Sequence, residues 1–304
     1  MPVAVRGSLL DRWNRYWFQG GRPEPLAAFR ILYGIYLLGY FGSFARKLFV
    51  VFSTNGVVQP WILPHSAIPT PAVAATLYAL WMSFAMAFTL GYRTRWTTPL
   101  LLLFYGYFYL LNLAVKDTAY DRLNLILIAT ACFGNLDSIW AVRPTHPVTA
   151  ITDFPINTWV VRILRLQMCF LYFGAGLWKF SAPAWQGHEM MRWTLAGAWG
   201  TPLAFWLVGL GLPNVFYAGL GWSVIVFELI APFTLSFYST VKPTVIAGAA
   251  FHVGVALLLN IPEFFNCLTI YALFWPVEEL AACGKRIHAS LTTRRLHGGC
   301  FRPN

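Results

Sequence analysis

Apolar runs long enough to cross a lipid bilayer recur from one end of this sequence to the other. A helix needs about 20 mostly apolar residues to span the hydrocarbon core. The chain is 58% hydrophobic and only 11% charged, whereas soluble domains are about 25% charged. We therefore predict an all-α, polytopic integral membrane helical bundle of about eight transmembrane helices, near residues 26–45, 72–92, 97–115, 122–137, 158–180, 217–239, 243–260 and 262–281.

Basic residues gather at the two ends of the chain, and the net charge is +11. Because Lys and Arg are retained on the cytoplasmic side of membrane proteins, we place both ends in the cytoplasm of a bacterial inner membrane. The sequence then divides into a basic N-terminal segment (1–25), a transmembrane domain (26–282) and a basic C-terminal tail (283–304). The positive charge follows this topology, so the expected partner is the lipid bilayer and not a nucleic acid.

Cysteine and histidine spacing indicates no metal site. The five cysteines include no Cys-x-x-Cys pair, and the six histidines show no ligand spacing. The sequence also has no glycine-rich phosphate loop and no hydrolase motif. The ionisable groups inside the predicted helices therefore become the main candidates for chemistry.

Two ionisable side chains fall near the middle of predicted helices. Glu228 is too short to reach the headgroups, so it must be protonated, paired or next to a polar cavity. His252 has a similar depth in the next helix, where an imidazole–carboxyl hydrogen bond is one arrangement and a structural clasp is the alternative. Arg30, Arg162 and Arg165 are close enough to the inner surface to snorkel to the headgroups.

A lone lysine, Lys179, ends the fifth predicted helix one turn after Gly174, Ala175 and Gly176. An ammonium group costs roughly 2.5–3.5 kcal/mol at a helix centre and less near the interface, so Lys179 needs water, a counter-ion or a ligand. The small residues let another helix or a flat ligand approach the backbone. Snorkelling is the simplest interpretation, and a base at an apolar cavity is the alternative.

Further polar residues mark the predicted outer ends of the helices. Lys116 and Asp121 flank the loop between the third and fourth helices, while His188 and Glu189 follow Lys179. Ordinary solvated loops would be polar in the same way. The alternative is a polar mouth above an apolar cavity, which suits an amphipathic ligand with a reactive head.

Several segments, in this order, resemble the HTTM (horizontally transferred transmembrane domain) family, which includes the vitamin K-dependent gamma-carboxylases. Ala-Phe-Arg-Ile-Leu-Tyr-Gly at 28–34 and Gly-Val-Val-Gln-Pro at 56–60 are similar to its first helix and the loop that follows. The most specific match covers 164–187 and includes Lys179. Phe-His at 251–252 is similar to a Phe-His pair of the carboxylases.

The resemblance implies roles for these residues. Lys179 takes the place of the carboxylase lysine that is proposed as catalytic base, and His252 that of a histidine implicated in the active site. In carboxylase-like chemistry a neutral amine accepts a proton from a reduced quinone, so we expect Lys179 and His252 to be catalytic and the cofactor to be vitamin K hydroquinone-like. The residues expected to contact that cofactor are Gly174, Gly176, Trp178, Trp185 and Glu228.

Two departures from the carboxylase pattern limit the expected reaction. Leu123 stands where the carboxylase has a histidine after its third helix. About twenty residues follow the last predicted helix, so we expect no large lumenal domain for recognising a protein substrate. The resemblance therefore implies a carboxylase-like (lyase- or ligase-type) or quinol-oxidising membrane enzyme for a peptide or small substrate, and not carboxylation of a propeptide-bearing protein.

A non-catalytic membrane factor is the alternative function. Such a protein would help to mature or export a secreted peptide, and Lys179 would be an electrostatic contact with that partner. A small-solute transporter is less favoured, because the sequence shows no strong internal repeat and only one deeply placed acidic residue.

Overall fold

A computed structural model describes residues 8–60, 62–116, 118–144, 156–187 and 189–298, without the side chains of 156–157, 262 and 288–298. Two short strands, β1 (Gly20–Gly21) and β2 (Ile156–Asn157), pair antiparallel. The described chain is otherwise dominated by helices, which confirms the predicted all-α class. The helices are α1 (Leu9–Phe18), α2 (Glu24–Ser43), α3 (Leu48–Phe52), α4 (Pro71–Leu90), α5 (Thr94–Leu111), α6 (Leu113–Lys116), α7 (Ala119–Ala131), α8 (Thr158–Ser181), α9 (Pro183–Gln186), α10 (Glu189–Ala196), α11 (Pro202–Gly209), α12 (Asn214–Thr234), α13 (Tyr238–Leu258), α14 (Phe265–Ile270) and α15 (Val277–Gly298).

Five segments of the described chain are long and apolar enough to cross a membrane. They are Glu24–Phe52, which contains α2 and α3, and the single helices α4, α8, α12 and α13. The protein is thus an integral membrane protein. The predicted third and fourth spans correspond to α5 and α7, but α7 has only 13 residues, fewer than the roughly 20 that a span needs. The expected count of eight spans stays a prediction.

The predicted eighth helix, 262–281, is wrong as a continuous span. One 3-10 turn precedes α14 and another follows it, and α15 begins only at Val277. Pro276 explains the break, because proline lacks a backbone N–H and disfavours helix in the residue before it. Most of 266–274 is buried, so this segment packs inside the bundle. The predicted domain boundary at 282 falls within α15.

Helix α2 supplies the centre of the main core. Phe29, Tyr33, Leu37 and Phe41 follow one another at helical spacing and are fully buried. The ring of Trp81 from α4 packs on Phe41 with 3.7 Å between ring centroids. Helix α2 also carries tyrosine hydroxyls that bind residues of α7, so α2 and α7 are joined by polar contacts within this core.

Arg30 is buried in this core, and its predicted snorkelling is wrong. Its guanidinium donates to the carbonyl of Leu136 at 2.8 Å and to that of Trp140. Gly91 ends α4 with a left-handed φ of 71°, and a Cβ there would lie 2.2 Å from Arg30 Nη1. Arg165 donates from Nε to a carbonyl just after α14 at 2.8 Å. Both arginines therefore satisfy backbone carbonyls inside the protein.

Candidate active site

Close packing of α8 on α12 brings the candidate site together. Gly176 of α8 faces Leu229 of α12 so closely that a Cβ would lie 3.0 Å from the leucine side chain and 3.1 Å from its backbone nitrogen. A small residue at such a point lets two helices in a membrane approach each other. The contact sets the last turn of α8 beside α12, where Lys179 and Glu228 lie.

Lys179 and Glu228 form an ion pair that uses both carboxylate oxygens. Lys179 Nζ lies 2.7 Å from Oε1 and 2.6 Å from Oε2. The two side chains are 14% and 5% exposed. Contacts of this length between charged groups are among the stronger hydrogen bonds. The counter-ion of the lysine is therefore a carboxylate of the neighbouring helix, and the snorkelling interpretation of Lys179 is wrong.

Trp185 covers one side of the pair. The centre of its ring lies 5.2 Å from Lys179 Nζ, within the range of a cation–π contact. Its helix, α9, packs on α12 at Gly221, where a Cβ would lie 2.9 Å from the Trp185 carbonyl oxygen. The indole Nε1 is buried and has no acceptor among the described residues. This N–H is free to donate to a ligand.

Two of the predicted cofactor contacts lie away from this cluster. Gly174 is exposed, and no described atom lies within 4 Å of the place its Cβ would take. Trp178 is 63% exposed on the same helix. The structure thus brings Gly176, Trp185 and Glu228 to Lys179 or its helix contact and leaves Gly174 and Trp178 on the outside of α8. The cofactor-binding roles of all five residues stay predictions.

His252 forms a second polar cluster with two tyrosines. Its Nε2 lies 2.7 Å from the hydroxyl of Tyr172, which also contacts the hydroxyl of Tyr271. Gly248 leaves room for that ring, since a Cβ would lie 1.9 Å from the Tyr271 hydroxyl oxygen. His252 Nδ1 is buried without a partner in the described part of the chain. The structure does not pair His252 with Glu228. Each of them contacts α8 instead, His252 through Tyr172 and Glu228 through Lys179.

A third cluster contains residues that the sequence placed in a polar loop. Lys116 Nζ lies 2.6 Å from Asp121 Oδ1, and their side chains are 0% and 1% exposed. The Tyr40 hydroxyl accepts from Lys116 at 2.6 Å and donates to Asp121 at 2.7 Å, and Tyr105 donates to the same oxygen at 2.5 Å. A solvated loop is therefore the wrong interpretation of these residues. Tyr36 and Tyr40 lie one turn apart on α2, and this spacing of two polar side chains is the sequence signal that this face of α2 meets buried polar groups.

Two apolar cavities open on the surface of the helices. The first, of about 410 Å³, lies between α2 and α14 and includes Tyr36 and Tyr40 in its lining. The second, of about 520 Å³, lies between α12 and α13 and includes Phe227, the neighbour of Glu228 in sequence. Lys179 lines neither of them, and His188 lies outside the described residues. A polar-mouthed cavity at Lys179 stays a prediction.

The family model for the HTTM domain matches residues 18–278, which include all three polar clusters. This domain is membrane-associated and is found in vitamin K-dependent carboxylase. No curated protein and no solved structure matches the chain. The family match covers most of the sequence and agrees with the membrane-spanning helices, and the chain therefore belongs to the HTTM family.

Proposed function

We propose that this chain is a membrane enzyme, carboxylase-like or quinol-oxidising, in which Lys179 is a base for a reduced quinone or a similar lipid-soluble reductant. The molecule that it modifies is a peptide or a small substrate. The observation that carries the proposal is the close pair between Lys179 and Glu228 inside membrane-spanning helices. Ionisable residues in such helices are rare and commonly mark proton pathways or ligand sites.

The carboxylate gives Lys179 two ways to share a proton. With the proton on Nζ, the pair is an ammonium ion and a carboxylate; with the proton on Glu228, Nζ is a free amine. Of these two forms of Lys179, only the free amine can act as a general base toward a ligand hydroxyl. After Nζ has taken up a proton, loss of the carboxyl proton to water returns the pair to its starting charge, and the position of Lys179 two residues before the end of α8 puts the pair near the membrane surface.

The residues around the pair fit a flat, neutral quinone. Trp185 offers an aromatic face and a buried indole N–H that has no acceptor among the described residues, and a quinone oxygen is such an acceptor. Lys179, Glu228 and Trp185 are the residues that would hold the ligand. When bound, a reduced quinone would supply the reducing equivalents for the reaction.

His252 is the second catalytic candidate. Its Nε2 is engaged by Tyr172, and its buried Nδ1 has no partner among the described residues. A buried imidazole nitrogen without a partner costs free energy unless a ligand or water supplies one. We therefore assign His252 to contact with the substrate, at a place separate from the proton transfer at Lys179.

A non-catalytic role is the second candidate function, and one observation favours it. Both carboxylate oxygens of Glu228 already bind Lys179, so the pair can join α8 to α12 without any ligand. The protein would then be a factor for the maturation or export of a secreted peptide. The surface for its partner would be a set of exposed aromatic side chains of this chain, which lie in α10, in α11 and between them: Trp193, Trp199, Phe205 and Trp206.

The two candidates differ in what the purified full-length protein carries and does. For the enzyme, we expect organic extraction and mass spectrometry to detect a co-purified quinone. We also expect a reduced short-chain quinone to be oxidised in air faster than in protein-free micelles. Lys179→Met should reduce the rate to the protein-free level. Lys179→Arg should do the same, because a guanidinium keeps its charge but does not deprotonate.

Lys242 provides a matched control. It forms another lysine–glutamate contact, with 2.5 Å between Nζ and Glu279 Oε1, but these side chains are 44% and 46% exposed. Lys242→Met should leave quinol oxidation unchanged. A folded Lys179→Met protein that oxidises quinol at the wild-type rate would exclude Lys179 as the base. A folded wild-type protein with neither quinone nor oxidation would favour the non-catalytic factor.

A further inference from the structure

The cavity between α2 and α14 is lined by residues other than the Lys179–Glu228 pair and has its own polar groups. Its volume of about 410 Å³ falls in the range of sites for small ligands. The lining is mainly apolar, apart from the phenols of Tyr36 and Tyr40 and two small hydroxyl residues. Gly39 opens its wall, because no described atom lies within 4 Å of the place a Cβ would take. The cavity can therefore receive an apolar molecule that has a polar atom near these phenols.

Tyr36 has an unused hydrogen-bond donor. Its hydroxyl accepts from Asn124 Nδ2 at 3.2 Å, and no described residue accepts its own proton. Tyr40 differs, because its hydroxyl accepts from Lys116 and donates to Asp121. The Lys116–Asp121 pair therefore fixes Tyr40 and leaves Tyr36 as the phenol able to donate to a ligand. That ligand needs an acceptor oxygen.

The depth of Tyr36 limits the class of ligand. It lies near the middle of the 29-residue candidate span Glu24–Phe52. Phospholipid headgroups and their ester carbonyls stay at the surface of the bilayer, whose hydrocarbon core is about 30 Å thick. A molecule that brings an oxygen to this depth must be a lipid without a charged headgroup.

Charge limits the class further. Lys116 and Asp121 compensate each other's charge behind the cavity, and the carboxylate of Glu263 also acts on Tyr36 and Tyr40. An anionic ligand would therefore be repelled and would lack a counter-ion, at a high cost in hydrocarbon, and an ammonium head has no acceptor for the Tyr36 hydroxyl. The remaining class is a neutral lipid with a carbonyl oxygen. The choice of a quinone within this class rests on the proposed function.

We propose that this cavity binds the ring of a neutral, headgroup-free quinone, with the Tyr36 hydroxyl donating a hydrogen bond to a ring carbonyl. Lys116 and Asp121 bind Tyr40 and do not line the cavity. This is a second quinone site, separate from the one proposed at Lys179, so binding here does not require the lysine.

Photolabelling of the full chain tests this site. The probe is a short-chain benzoquinone with a diazirine on its side chain, added to the purified protein in lipid-containing micelles. We expect labelled peptides from α2 and α14, with competition by the unlabelled quinone. Tyr36→Phe should weaken apparent binding by roughly three- to tenfold, since one hydrogen bond is lost.

Two glycines of α2 give a matched pair of variants. Gly39→Leu places a side chain into the cavity and should abolish labelling there. Gly42→Leu is the control, because Gly42 also has no described atom near its missing Cβ but does not line the cavity. Size-exclusion chromatography before and after heating shows whether each variant is folded. Lys179→Met should keep the labelling, so loss of this site and loss of the catalytic lysine give different results.

Three results would overturn the proposal. The first is labelling that maps elsewhere in the chain. The second is labelling that persists in folded Tyr36→Phe and Gly39→Leu proteins. The third is equal labelling of the same peptides by a phosphatidylcholine with the same diazirine, because the cavity would then be a groove for ordinary bilayer lipid. The proposed function fails separately if quinol oxidation survives Lys179→Met.

Discussion

Gly176 of α8 lies against Leu229 of α12, and this contact sets the separation of Lys179 and Glu228. A Cβ added at Gly176 would lie only 3.0 Å from the leucine side chain. One turn further along α8, the two charged groups meet at 2.6 Å. Helix packing and the chemistry of the site are therefore linked through a single small residue.

Gly176→Leu should separate α8 from α12 and destabilise the protein, because the added side chain would meet Leu229 and its backbone. Overpacking of this kind costs about 1–3 kcal/mol. The measurement is the apparent melting temperature in detergent. Gly174→Leu is the control from the same helix and should melt like the wild type, since its Cβ would meet no described atom within 4 Å. Equal melting of both variants would show that the close approach is not needed.

Single substitutions in the ion pair should be more damaging than the double substitution. Lys179→Met leaves a buried carboxylate without its counter-ion, and Glu228→Gln leaves an uncompensated ammonium group. The double variant removes both charges, so part of the lost stability should return, with a coupling of about 0.5–3 kcal/mol. Unfolding measured for the four proteins tests this. Strictly additive effects would mean that the two groups do not interact.

Tyr172→Phe should destabilise the protein more than Tyr107→Phe. The first change removes the hydroxyl that binds both His252 and Tyr271 in a buried cluster, and an unsatisfied buried group costs about 1–3 kcal/mol. The second removes a half-buried hydroxyl that donates to the Ala67 carbonyl at 3.0 Å. Comparison of the two melting temperatures provides the test, and a larger loss for Tyr107→Phe would contradict the assigned contacts of His252.

Asp121→Asn should reduce the yield of folded protein sharply. It leaves the buried Lys116 without a counter-ion, and loss of one partner in a buried pair costs about 3–5 kcal/mol. Adding Lys116→Met should restore part of the yield, as measured by size-exclusion chromatography of solubilised membranes. Glu279→Gln removes a partner from an exposed pair and should have little effect. Wild-type yield of the Asp121→Asn protein would exclude a buried ion pair.

The class of fold follows from the apolar runs, because a span of about 20 apolar residues has few alternatives to a membrane helix. The broken segment around α14 was not predicted. Its apolar composition resembles that of a lipid-facing helix, although most of 266–274 is buried within the protein. Composition alone does not distinguish these two environments.

The partners of Lys179 and Lys116 could not be predicted for a different reason. Their contacts with Glu228 and Asp121 depend on how helices are rotated and on close approaches such as the one at Gly176. A hydropathy pattern gives the depth of a residue but not the neighbour that it faces. For this reason the sequence identified Glu228 as a group in need of a partner, and the structure identified the partner.

Chemical rescue tests the role of Lys179 as a base most directly. In a folded Lys179→Ala protein, small primary amines added to the solution should restore quinol oxidation, with the more basic amines more effective because proton transfer follows basicity. Glu228→Gln should not be rescued by the same amines. A folded Lys179→Ala protein that keeps full activity, or that no amine restores, would contradict a catalytic lysine at this position.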